Sequence, residues 1–285
     1  GQAQAVEREA TAAAEQARAE AEQELQTVRK DLNQRKLFAE IVLPAEADQK
    51  AQSLLSEGSA APRREQGLAA AEAMRLLSEA LQAAAPLGYH SEERPASWRG
   101  DATEAAFVVD PIDGTRNFSE GGEAWCIVVG VIADGRPIAG AVHLPARQET
   151  YSAFRGGGAF LNGSRLKSPK AGETPLRVTG PKPLFEKLGP RLGEPLHHAA
   201  PVPALAHRLL VPLTGRVDLA LANSGGHDWD IVASDCILRE AGAELRTLHG
   251  KAPDYRLSGG SHPPLMAGTP ALMQKIGAAL LTDPV

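Results

Sequence analysis

Phe107-Val108-Val109-Asp110-Pro111-Ile112-Asp113-Gly114-Thr115 is the stretch from which the fold can be read. Three apolar residues, one aromatic and two β-branched, predict a short buried strand. Two carboxylates three residues apart, Asp110 and Asp113, then stand at the strand's end. Pro111 fixes its own φ, and Gly114 lets backbone approach closely. Thr115 adds a hydroxyl beside the N–H groups that open the next segment. Two carboxylates and a backbone carbonyl form a hard-oxygen set suited to Mg²⁺, and free N–H groups suit a phosphate. The plainer alternative is a β-turn with acidic decoration, since Pro-Ile-Asp-Gly is good turn chemistry.

Downstream of this stretch the pattern is antiparallel. Cys126 to Ala133 and Pro137 to Leu144 flank Asp134-Gly135, a strong hairpin signal. Thr150 to Phe154 reads as a further strand, ahead of Gly156-Gly157-Gly158. From about residue 176 strands and helices alternate. Strands are expected at Leu176 to Thr179, Val217 to Leu221 and Glu244 to Leu248, with helices at Val202 to Pro212, Trp229 to Ala241 and Pro270 to Leu281.

Upstream, residues 1 to 32 are rich in Ala, Glu, Gln and Arg and predict a solvated or partner-binding helix with a weak apolar stripe. Leu37 to Leu43 looks strand-like, and Asp48 to Leu55 begins helically. Ser56 to Arg64 reads as a loop, and Glu65 to Ala84 as an amphipathic helix. A boundary near residues 165 to 176 divides the chain into an N-terminal α+β part, 1–170, and a C-terminal α/β part, 171–285.

Two further acidic motifs stand far from the first. Ser91-Glu92-Glu93 precedes Asp110, and His227-Asp228-Trp229-Asp230 opens an apolar helix. Alone, the first suits a solvated surface. The second suits a helix start, with Asp228 as N-cap and Asp230 in the first turn, where negative charge is stabilised.

The 285 residues are 43% hydrophobic and 23% charged, which excludes a disordered chain and allows a sizeable core. A net charge of −5 argues against a nucleic-acid polymer as partner. Cys126 and Cys236 sit in apolar runs and predict buried free thiols. There is neither an apolar run of about 18 residues nor a signal-peptide pattern, so the expected location is cytoplasmic, off the membrane.

Taken together and in order, Ser91-Glu92-Glu93, Asp110 to Thr115, and Trp229-Asp230 resemble the inositol monophosphatase family of Mg²⁺-dependent, lithium-sensitive phosphatases. The likeness continues through Asn117-Phe118, the hairpin, Gly156-Gly157-Gly158-Ala159 and Leu161-Asn162-Gly163. It implies a layered αβαβα sandwich of the inositol monophosphatase and fructose-1,6-bisphosphatase type, two or three Mg²⁺ per site, and a small phosphorylated substrate. It also implies roles. Glu92, Asp110 and the Ile112 carbonyl would hold the first ion, and Asp110, Asp113 and Asp230 the second. Glu92 would help hold the attacking water. Gly114 and Thr115 would bind phosphate. Thr115 would partner Asp48, which matches an upstream aspartate that touches a third ion. Family members are often homodimers.

Several departures mark this chain. Asp48 lies farther from Glu92 than is usual, and the helix after Asp230 reads Ile231-Val232-Ala233-Ser234-Asp235 in place of small residues and Gly. Asn223 occupies the position where inositol phosphatases carry a Glu that grips the substrate. With Thr115-Arg116 it looks more like a CysQ-type bisphosphate nucleotidase, favouring 3'-phosphoadenosine 5'-phosphate over inositol-1-phosphate. Histidinol phosphate and fructose bisphosphate are further family substrates. A non-catalytic metal- or phosphate-binding protein is the alternative of another class. Degenerate relatives lose a metal carboxylate, and Glu92, Asp110, Asp113 and Asp230 are all present here.

Overall fold

A computed structural model describes residues 76, 77, 79–81, 83, 85, 87–92, 105–167, 174–255 and 261–281. The chain divides into Gly1–Pro44 and Ala45–Val285, and every described residue lies in the second unit. The readings of residues 1–32, 37–43, 48–55 and 56–64, most of the helix over 65–84, Asp48 and Glu93 lie outside the described residues.

The strand begun by Phe107 is longer than its apolar run. After β1 (Gly88–Ser91), β2 spans Ala106–Asp113, so both aspartates and Pro111 belong to it. The expected turn at Pro-Ile-Asp-Gly is a bulged strand end instead. The register against the next strand shifts between Asp110 and Asp113. Proline removes a ladder donor, which a bulge tolerates. The chain turns only at Gly114, and Thr115–Ser119 forms a short helix, α1.

The predicted hairpin follows as β3 (Cys126–Ala133) and β4 (Arg136–Leu144). Asp134 and Gly135 both take positive φ, 53° and 65°, as a type I′ turn requires. β5 (Glu149–Phe154), β6 (Gly158–Leu161) and β7 (Ser164–Arg165) complete a seven-stranded sheet in sequence order. It is antiparallel except at its first edge, where β1 runs parallel to β2. That edge was not legible, because Gly-Tyr-His-Ser carries no apolar alternation.

The remaining elements are β8 (Leu176–Thr179), α2 (Lys182–Leu192), β9 (Leu196–His198), α3 (Leu205–Leu210), β10 (Leu219–Ala222), α4 (Asp228–Glu240), β11 (Glu244–Thr247), β12 (Leu265–Gly268) and α5 (Pro270–Leu281). The strands form a second, mixed sheet in the order β11-β12-β10-β8-β9. The helix expected over Val202 to Pro212 is shorter, because the chain tightens into a 3₁₀ turn at Val211–Thr214, where Pro212 donates no bond.

The two sheets are layered with helices. α4 packs on β2 through β6 of the first sheet and on β11 of the second, while α3 packs on β10 and β12 and on β3 and β4. Both helices therefore lie between the sheets. α2 and α5 pack on each other and on β9, β11 and β12 at the far side of the second sheet. Period-two alternation makes this possible. In β10, Ala220 and Ala222 face the inner core, and Leu219 and Leu221 face the outer one. In β12, Leu265 and Ala267 face inward and Met266 outward. In β2, Ala106 and Val108 join the inner core, yet Phe107 and Val109 are also fully buried, so both faces of that strand are covered.

A helix between two sheets must be apolar nearly all round. Every residue of α4 from Ile231 to Leu238 is buried. Its bulky Val232 is accommodated from the strand side. A Cβ on Gly130 would meet Val232 Cγ1 at 2.5 Å, and one on Gly140 would meet Ala233 O at 2.6 Å. Gly130 and Gly140 are register partners, so together they form a trough for the helix. Substituting Gly140→Ala drives a methyl into helix backbone and should destabilise the protein by about 1–3 kcal/mol. Thermal unfolding checks this, and a midpoint equal to the parent would refute the close approach.

Candidate metal and phosphate site

Asp110 points from the middle of the β2 bulge, buried to 1% exposure, and its Oδ1 accepts the Ile112 N–H at 2.9 Å. The bulge lets Asp110 and Asp113 turn toward the same side although they are three residues apart in a strand. Asp230 is brought to them by α4. The His227 N–H, at the helix N-cap, donates to Asp230 Oδ2 at 2.6 Å. His227 is thus the N-cap, and Asp228, expected in that place, is the first helical residue. Carboxylate oxygens of Asp110, Asp113 and Asp230 lie within 4.8 Å of one another.

Asp113 is held from the second half of the chain. Leu205 N–H donates to its Oδ1 at 2.9 Å and Ala206 N–H to its Oδ2 at 2.6 Å. The Cys126 thiol donates to Oδ2 at 3.5 Å. Ala204, the N-cap of α3, makes no side-chain cap bond, so Asp113 supplies acceptors from another sheet. Cys126 and Cys236 are buried and free, as expected. The contact of Cys126 with Asp113 was not foreseen, because nothing in sequence spacing reveals a pairing across neighbouring strands.

Two buried acids and a half-buried third so placed disfavour ionisation at the cluster. Burial, then Asp113, Glu92 and Asp230, push the Asp110 carboxyl up to about 9. Burial is the first cause for Asp230 also, which rises to about 6 and shares a hydrogen bond with Asp110. Asp113 is raised by burial, opposed by its Leu205 and Ala206 N–H partners. Glu92 is exposed and stands just past β1, where its charge acts on Asp110. The parallel register Ser91↔Val109 explains this neighbourhood.

Gly114 and Thr115, expected to bind phosphate, follow the cluster directly in sequence. Gly114 has φ 92°, and a Cβ there would lie 3.0 Å from Ala124 O, so the position demands glycine. The exposed Thr115 hydroxyl donates to the Ile112 carbonyl at 2.9 Å. Trp125 packs with Ile112 and meets Phe118 edge-on at 5.0 Å, which stiffens the turn. Asn223 is exposed, one residue past β10, and is not part of the carboxylate cluster. Asp48 lies outside the described residues.

The donor set is all oxygen and anionic, which suits a hard divalent cation. Layered sheets carrying a cluster of three carboxylates beside a glycine turn define a class of metal-dependent hydrolases. The chain belongs to the inositol monophosphatase family, whose model it matches over residues 3–280. It is 30% identical over 195 residues to an inositol-1-monophosphatase of Mesorhizobium japonicum, a match covering 61% of this chain and 68% of that one. It is 33% identical over 163 residues to the histidinol-phosphatase of Mycobacterium tuberculosis, covering 53% and 62%. In fold it is similar to an inositol monophosphatase from Anabaena, with a TM-score of 0.72 at 19% identity over 88% of this chain and 98% of that one. The αβαβα sandwich and a metal-dependent phosphatase activity follow from membership. Among the described residues no helix is long and apolar enough to cross a membrane.

The raised carboxyls set a pH dependence. Between the ordinary carboxyl range and about 9, the folded protein binds more protons here than the unfolded chain does. In chelator, stability should therefore fall as pH rises from about 4 toward 9. Asp110→Asn removes the most raised group and should flatten that fall and raise the unfolding midpoint above the parent's at pH 8. Thermal melts in EDTA across this range decide it, and parallel pH curves for variant and parent would contradict the clustering.

Proposed function

We propose that this chain is a Mg²⁺-dependent phosphomonoesterase whose substrate is 3'-phosphoadenosine 5'-phosphate. The observation that carries the metal assignment is the convergence of Asp110, Asp113 and Asp230 within 4.8 Å, with the Glu92 charge acting on Asp110. In this reading Glu92, Asp110 and the Ile112 carbonyl hold one ion, and Asp110, Asp113 and Asp230 another, with Asp48 as the residue for a third. When bound, the ions supply Lewis-acid stabilisation of the attacking and leaving oxygens and lower the pKa of a water.

The protein's own groups do the positioning, the larger part of catalysis for phosphoryl transfer. Glu92, at the exposed rim, holds the attacking water in line. The N–H groups of Gly114 and Thr115, at a turn where Gly114 takes φ 92°, fix the phosphate's equatorial oxygens. The Thr115 hydroxyl, now given to the Ile112 carbonyl, orients toward phosphate and water with Asp48. No side chain is required as a covalent nucleophile.

The substrate choice rests on Asn223, a neutral amide where an inositol phosphatase carries a carboxylate, and on Arg116 beside the phosphate turn. A carboxylate there would repel a second phosphate, whereas an amide donates to it. The second reading is inositol-1-phosphate, favoured by the name of the Mesorhizobium relative. We further read the two sheets as two subdomains, 1–170 and 171–285, and the active form as a homodimer in the cytoplasm.

Phosphate release from 3'-phosphoadenosine 5'-phosphate, inositol-1-phosphate, histidinol phosphate and fructose bisphosphate, with and without Mg²⁺, tests the proposal. The nucleotide should be hydrolysed fastest at limiting concentration. A preference for inositol-1-phosphate would overturn the substrate, and no release from any of the four would overturn the reading as a whole. Asp110→Asn should lower Mg²⁺-dependent turnover by about 10²–10³-fold or more while leaving the fold intact by circular dichroism.

A further inference from the structure

His262 stands just ahead of β12 and is buried to 7% exposure. Two hydrogen bonds tie it to the stretch that joins β10 to α4, and a third to the first residue of α4. Its N–H donates to Gly226 O at 2.7 Å, and its carbonyl accepts the Gly225 N–H at 3.0 Å. Its Nε2 donates to Asp228 Oδ1 at 2.7 Å, with Asp228 buried as well. The stretch so held starts at Asn223 and ends at the N-cap His227. It borders the carboxylates: a Cβ on Gly226 would stand 3.0 Å from Leu205 Cδ2 and 3.8 Å from Asp230 Oδ2.

The imidazole is itself fixed from behind. Tyr255 meets it edge-on at 5.7 Å, and the Tyr255 hydroxyl donates at 2.8 Å to Asp235 Oδ2, on the same helix as Asp228. Asp235 in turn accepts from Arg239 Nε at 2.9 Å. Gly225 has φ 108°, a conformation that most residues avoid. A loop of Asn, Ser and two glycines holds little conformation by itself, so outside bonds decide where it lies. Asp230 accepts the His227 N–H at the loop's end, but its place is set by α4, whose residues Ile231 to Leu238 are buried, and by its bond with Asp110.

We propose that His262 is a positioning residue for substrate affinity: its imidazole, bonded to Asp228 at the loop's end, and its backbone, paired with Gly225 and Gly226, hold the Asn223–His227 wall against the site. It touches no reacting atom. It governs how well the alcohol part of a phosphomonoester is gripped and leaves the cation ligands in place. This inference rests on the phosphatase reading above.

Steady-state kinetics with 3'-phosphoadenosine 5'-phosphate and with inositol-1-phosphate test it on the full chain. Losing a buried bond to a charged group should raise KM about tenfold in His262→Ala, with kcat held within about threefold and the half-saturating Mg²⁺ concentration unchanged. His262→Gln keeps a donor for Asp228 and should recover most of that KM. His262→Phe keeps the bulk against Tyr255 without the donor and should behave like Ala. Recovery by Phe would make packing the cause and overturn the proposal, as would an effect confined to kcat or to Mg²⁺. Hydrogen exchange read by mass spectrometry needs no turnover. Residues 223–228 should exchange faster in the Ala and Phe variants, while 231–240 stay as in the parent. Unchanged exchange over 223–228 would overturn the proposal. Wild-type protein inactive on all four phosphomonoesters named above would defeat the phosphatase reading instead, with the exchange result still deciding whether His262 holds residues 223–228.

Discussion

Like charges buried within a few ångströms repel, and this fold depends on what forces Asp110, Asp113 and Asp230 together. Two of them are set by a strand bulge and the third by a helix start more than a hundred residues later. The apolar seating of α4 between the sheets supplies the force. Eight consecutive buried residues, Ile231 to Leu238, fix the helix, and its first turn has no freedom to withdraw Asp230 from the others. Burial of each large apolar side chain contributes about 1.5–3 kcal/mol. That sum outweighs a carboxylate repulsion that protonation, or a cation, relieves.

The chain applies the same logic to its other polar groups at the centre. Asp235 and Ser234 lie on the buried helix, yet both are partnered, Ser234 with the Ala206 carbonyl and Asp235 with Tyr255 and Arg239. Asp218, nearly buried beside β10, takes a bidentate guanidinium from Arg177 and also its N–H. Most buried polar groups in proteins are partnered in this way. The three site carboxylates stand out because each accepts main-chain N–H groups while their oxygens converge within 4.8 Å, with no cationic side chain of the described residues bonded among them.

Much of this arrangement was legible in the residues. The hairpin around Asp134-Gly135 was fixed by two positions that tolerate positive φ, and the strand at Leu176 to Thr179 and the helix from Pro270 to Leu281 were read with their observed ends. Local chemistry decided those. The motif at Asp110 to Gly114 was legible as a carboxylate pair but not as a bulged strand, because proline and glycine signal a turn and only tertiary pairing with β3 overrides them. β1, β6, β7, β9 and β12 were missed, since none of these short runs contains a β-branched residue to mark it as a strand. The helix over Lys182–Leu192 was hidden by three prolines, at 181, 183 and 190. Nor could spacing show that α3's N–H groups serve Asp113, or that His262 reaches Asp228, since those contacts span 34 residues or more.

Asp113 has two employments. Each of its oxygens accepts an N–H from the opening turn of α3, so this one side chain also stitches the first sheet to a helix lying beside the second. An asparagine there could accept through only a single oxygen and would turn its amide toward a main-chain donor. The architecture therefore calls for a carboxylate at this position before any chemistry does. Loss of activity on replacing Asp113 would blend a broken stitch with a lost ligand, whereas Asp110 accepts a main-chain N–H only from its own bulge and meets Asp230 side chain to side chain, so its replacement cuts no such stitch.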